Sequence, residues 1–104
     1  MAFDADKTVK DMAAAASGVF AGEWPAVKDC VEAALQDQKD AFADIAKARI
    51  KKEIDDDEMK SHLEDEKKAF ESALLVCQIK AKAAIQRAAN AAIDVLKQAI
   101  RAAL

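Results

Sequence analysis

Apolar residues recur along most of this chain at spacings of three and four, the mark of helices that bury one face. Val9, Met12, Ala13 and Ala16 carry the first run, which predicts a helix over residues 3–17. The segment SGVFAGEWP interrupts it as a joint over residues 18–24. Gly18 and Gly22 suit a helix stop, and Pro25 suits the first turn of a new helix. Trp24 is expected to cover this joint as a packing anchor rather than to stack on a ligand.

A second helix is predicted over residues 25–53. Val27, Val31, Ala34, Gln38, Ala41, Ile45, Ala48 and Lys52 alternate at four and three, which is a heptad seam. Cys30, Leu35 and Phe42 widen that seam toward a bundle face. Gln38 interrupts it with a polar side chain of the kind that sets register or oligomer state in coiled coils.

The stretch KKEIDDDE then reads as one helix end meeting the next helix start, a turn over residues 54–56. Arg49, Lys51 and Lys52 suit the negative end of a helix dipole; Asp55 suits an N-cap, and Asp56, Asp57 and Glu58 suit the positive end. From Glu58 to Leu104 there is neither glycine nor proline. Met59, Leu63, Phe70, Leu74, Cys77, Ala81, Ala84 and Ala88 form one stripe, continued by Ile85, Ala89, Ile93, Leu96, Ile100 and Leu104. The pattern predicts a single third helix over 57–103, about 45 residues and roughly 70 Å long. Its polar strip is narrow, with Lys80, Arg87, Asp94 and Arg101 seven apart, so the helix expects more than one neighbour.

The fold class expected from this pattern is all-α: a long antiparallel helical hairpin in one domain, with a kinked N-terminal arm. Pairing about the turn sets Ile45 against Leu63 and brings Cys30 and Cys77 into one layer. The expected core and oligomer face is Val31, Leu35, Phe42, Ile45, Leu63, Phe70, Leu74, Ile85, Ile93, Leu96 and Ile100. Composition sharpens this. Apolar residues make up 53% and charged residues 34%, with two glycines, one proline and no tyrosine, which suits amphipathic helices and excludes a sheet-rich domain. Alanine dominates the apolar set, and four phenylalanines and one tryptophan are the only aromatics. A core this thin gains burial by self-association, so a homodimer or higher bundle is expected, with the first helix on its own chain or swapped onto a neighbour. An unidentified protein partner fits the same surface.

Net charge is −3, which gives no bulk attraction to nucleic acid. Its distribution is uneven: Glu53–Glu66 holds eight acids and one lysine, whereas Lys67–Leu104 holds seven bases and two acids. Two cysteines 47 residues apart form neither a disulfide-rich framework nor a zinc pattern. They read as buried, reduced thiols; a bridge would require Cα atoms about 4.4–6.8 Å apart. MAAAASGVFAG resembles a signal-peptide core, but Asp4, Asp6 and Asp11 spoil the basic stretch that should precede it. No transmembrane segment is expected. Together these features point to a reduced, cytoplasmic protein.

Little in the chain carries chemistry. Glu58, His62 and Glu66 lie four apart on one helical face and have ligand types suited to a divalent transition metal. The Glu-x-x-His pairs of di-iron bundles are absent, as are the glycine and twelfth-position glutamate of an EF-hand. No nucleophile–base set or phosphate loop occurs, so no enzyme and no cofactor are expected. The basic arm QIKAKAAIQRAANAAIDVLKQAIRAAL has the make-up of a helix lying on a lipid or polymer surface, or of a buried bundle helix. In outline the chain resembles the small WXG-type helical hairpins, although its turn reads EIDDDE where they have Trp-x-Gly. In its alanine-rich amphipathic helices it is similar to granule-coating phasins. The function expected is a non-catalytic, self-associating scaffold or interaction protein, with a metal-binding bundle and a surface-coating protein as alternatives.

Overall fold

Four helices form the chain, as seen in a computed structural model that describes residues 3–104. They are α1 (Ala5–Phe20), α2 (Trp24–Ile50), α3 (Asp56–Leu75) and α4 (Lys82–Ala102), with a 3₁₀ turn at Ala21–Glu23. No strand occurs among the described residues. Each helix packs on its neighbours in a ring, α1 on α2, α2 on α3, α3 on α4 and α4 back on α1. Successive helices run antiparallel. Asp6 meets Lys39 across α1 and α2, Gln38 meets Glu66 across α2 and α3, and Asp56 meets Arg101 across α3 and α4. The result is an up-down-up-down bundle about 40 × 22 × 19 Å.

Two expectations need correction. The N-terminal arm is not kinked but reverses, because Ala21 takes a left-handed backbone at φ 50° and its N–H donates to the Ser17 carbonyl. Gly18 lies inside α1, and neither glycine has a positive φ. The single helix over 57–103 is two helices, separated at residues 76–81. Here Gln78 turns left-handed at φ 57°, Ile79 is buried, and the Glu23 carboxylate accepts from the backbone N–H groups of Lys80 (2.6 Å) and Ala81 (3.4 Å).

The core runs the length of the bundle. Val31, Leu35, Phe42, Leu63, Phe70, Leu74, Ile85, Ile93, Leu96 and Ile100 are all buried within the one chain, and Ile45 packs against them half-buried. The face expected to need a second copy is therefore covered internally. The cover is α4, whose Ala84, Ala88, Ala89 and Ala92 are buried and let α1 approach closely. The buried face of α2 runs through Val27, Val31, Ala34, Leu35, Phe42 and Ala46. It drifts off the heptad seam, as a straight helix of 3.6 residues per turn must.

The left-handed residues Ala21, Lys52 and Gln78 each sit in one of the three turns, and none is glycine. An L-residue there costs about 1–2 kcal/mol. Conversely, Gly18 is exposed inside a helix, and a Cβ added to it meets nothing within 4 Å. Gly18→Ala is expected to raise stability by about 0.5–1 kcal/mol, read as a higher urea midpoint at unchanged slope. An unchanged midpoint would show that α1 is frayed at that position, and a lowered one that the backbone there is not helical.

Candidate functional site

The two ends of the bundle hold its distinctive chemistry. At one end lies the acidic run. Asp55 caps α3: its carboxylate accepts from the Glu58 N–H at 2.8 Å, and the Glu58 carboxylate accepts from the Asp55 N–H at 3.1 Å. This reciprocal capping box satisfies two otherwise orphan donors. Asp56 pairs with Arg101 at 3.2 Å and Lys60 at 3.5 Å. Partial desolvation pushes its carboxyl up, but the hydrogen bonds and charges of Arg101 and Lys60 outweigh this and leave it below its ordinary value. The Lys39 ammonium, by hydrogen bond and charge, likewise holds Asp6 down, and Asp6 holds Lys39 up. Both depressed carboxylates support the fold above the ordinary carboxylate pKa, and that support is lost as pH falls through their lower folded values.

Glu58, His62 and Glu66 do not converge. Glu58 is engaged in its cap, and His62 is exposed beside a shallow apolar dip of Asp44, Ile45, Ala48 and Ile54. Glu66 turns to α2, where the Gln38 amide donates to its backbone carbonyl at 3.0 Å and reaches its carboxylate at 3.4 Å. Among the described residues no three His, Cys, Asp or Glu side chains form a metal-holding group. The polar interruption at Gln38 thus serves to fix α2 against α3.

The other end joins the α1–α2 turn to the α3–α4 connection. Cys30 and Cys77 are bonded to each other with their Cα atoms 5.7 Å apart, so the reading of two reduced thiols is overturned. Their common layer was visible in the sequence; what it lacked was the close approach of residues 76–81 to the first turns of α2. Glu23 carried no sequence signal at all. Its role in pinning the α3–α4 connection just ahead of α4 appears only once the two turns lie side by side. Trp24 stacks on Phe20 here, ring centroids 6.4 Å apart, and closes the joint. Leu75 and Val76 project outward beside the bridge, 58% and 78% exposed.

The basic arm divides between the connection and α4. Lys80, Arg87 and Arg101 are exposed, while the apolar face of α4 is buried in the bundle. A shallow cleft between α3 and α4 combines Lys60, Lys67 and Lys97 with Glu64 and Asp94, and Lys67 is already paired to Glu64 at 2.9 Å. Among the described residues, no helix is long and apolar enough to cross a membrane.

No protein-family model, curated protein or solved structure matches this chain.

Proposed function

We propose that this chain is a non-catalytic helical scaffold whose partner is a second copy of itself. The observation that carries this reading is the unbroken apolar pattern of residues 57–103, which the fold nevertheless bends back at 76–81. A chain written this way has two means of burying the same faces, within one molecule or between two. Its thin alanine-rich core favours any arrangement that lengthens the buried seam. The coating alternative needs α4 to surrender its buried face to a foreign surface, and the metal alternative needs three side chains that here have separate surroundings.

The Cys30–Cys77 bond bears on where the scaffold works. Disulfides in reducing compartments are mostly transient or redox-sensing. The cytoplasmic expectation rested in part on reduced thiols, so the bond counts against it; in a reducing compartment the bridge would form only transiently.

Light scattering after size exclusion tests the reading. A monomer has a mass of 11.2 kDa. A discrete species of twice that mass, growing with concentration, is the expected result. A monomer at every concentration would remove self-association and leave only a role with a different protein.

A further inference from the structure

We infer that self-association proceeds by exchange of α4 between two copies, hinged at residues 76–81 and latched by Glu23. The inference rests on the self-association just proposed and specifies how it occurs. The three turns of the bundle are not alike. The α1–α2 turn has Gly22 and Pro25 to break the helix pattern, and the α2–α3 turn has the Asp55–Glu58 capping box. The α3–α4 turn has neither. Its residues, Val76 to Ala81, contain no glycine or proline and lie in step with the stripes on both sides. The N-cap position of α4 is Ala81, which has no side chain able to cap.

What holds this turn closed comes from elsewhere. The Glu23 carboxylate, 57 residues away in sequence, accepts from the Lys80 and Ala81 backbone N–H groups. Ile79 inserts into the core. Against these, Gln78 sits in a left-handed conformation that a straight helix would relieve. In a continuous helix the amides of Lys80 and Ala81 would donate to carbonyls four residues back, so the Glu23 contacts and the fused helix exclude each other.

The bridge decides which segment moves. Cys30–Cys77 ties the residues just beyond α3 to the α2 of the same chain, so those two helices stay together. The α4 helix lies beyond the bridge and is free to leave. Fused with α3, it would project about 40 Å past the end of its own α3 and offer Ile85, Ala89, Ile93 and Leu96 to the vacated groove of a second copy. That copy returns its own α4, and the exchange closes as a two-fold dimer that reuses the contacts of the single chain.

The test uses the full oxidised chain, incubated at high concentration and then diluted, with dimer measured by light scattering. Glu23→Ala removes the latch and is expected to raise the dimer association constant at least about tenfold. Gln78→Gly relieves the closed turn and weakens the fused helix, and is expected to lower it by about tenfold or more. Far-UV circular dichroism checks that each variant is folded, and Glu23→Gln serves if the alanine variant is not. The dimer should persist for hours after dilution and run as a monomer on a non-reducing denaturing gel. A dimer that ignores both variants and dissociates at once on dilution would overturn exchange while leaving self-association standing. A dimer that is covalent on that gel would overturn it too, because the bridge would then join two chains. Only monomer, in the wild type and in Glu23→Ala alike, would overturn both readings.

Discussion

Reduction of the Cys30–Cys77 bond is expected to lower the unfolding free energy by about 2–4 kcal/mol. The bridge closes a loop across a sequence separation of 47 residues, spanning most of α2, the acidic turn and α3. In the chain-entropy account, such a loop denies the unfolded chain many conformations, worth about 4 kcal/mol at this length. The bond also joins α2 to the segment that carries Ile79 and the Glu23 contacts, so its loss loosens one whole end of the bundle. Two urea titrations, with and without a phosphine reductant, measure the change. The Cys30→Ala/Cys77→Ala variant should match the reduced protein and ignore the reductant. For a chain of this size the same loss lowers the melting temperature by roughly 10 °C or more. Coincident curves for the two redox states would mean that the bridge contributes nothing to the closed fold.

Phe70→Ala carries the second large effect, a loss of about 3–5 kcal/mol. The side chain is 0% exposed on α3, in the same core as Phe42 at 1%. Much of the remaining core is alanine, which cannot swing into a vacated volume, so the cavity left by the ring would persist. Small domains have about 5–15 kcal/mol of stability in all, so this one change removes a large part of it. Leu104→Ala provides the control. That side chain is 58% exposed, and its loss should stay within about 0.5 kcal/mol. Equal effects of the two substitutions on the denaturation midpoint would refute the placement of Phe70 at the centre.

These two effects lie on different parts of the route from sequence to fold. Phe70 was legible from the start: it stands in the stripe of Met59, Leu63 and Leu74, and periodicity alone assigned it to the core. The bridge was only half legible. Antiparallel pairing about the acidic turn set both cysteines in one layer, but bond formation depends on angstroms that a helical repeat does not supply. Glu23 was illegible, because a carboxylate that holds a connection 57 residues away has no local pattern. The proposed metal face shows the converse limit. Spacing placed Glu58, His62 and Glu66 on one side of α3, but a shared face is not a shared centre, and each met a different neighbour.

By itself the sequence determined the all-α class, most apolar residues of the core though not Phe20, Ala46 or Ile79, the α2–α3 turn with its aspartate cap, and the absence of a membrane-spanning run. Each of these is set by short-range physics: helix propensity, the 3.6-residue period and the need to satisfy the amides at a helix start. Only the tertiary structure decided that α1 reverses instead of kinking, that the third helix divides at Gln78, and that α4 covers the face which otherwise calls for a second chain. The reason is energetic. A left-handed residue costs about 1–2 kcal/mol locally, whereas folding α4 back buries eight side chains along one helix, each large aliphatic one worth about 1.5–3 kcal/mol. Local preference loses to that burial, and burial depends on where the rest of the chain lies.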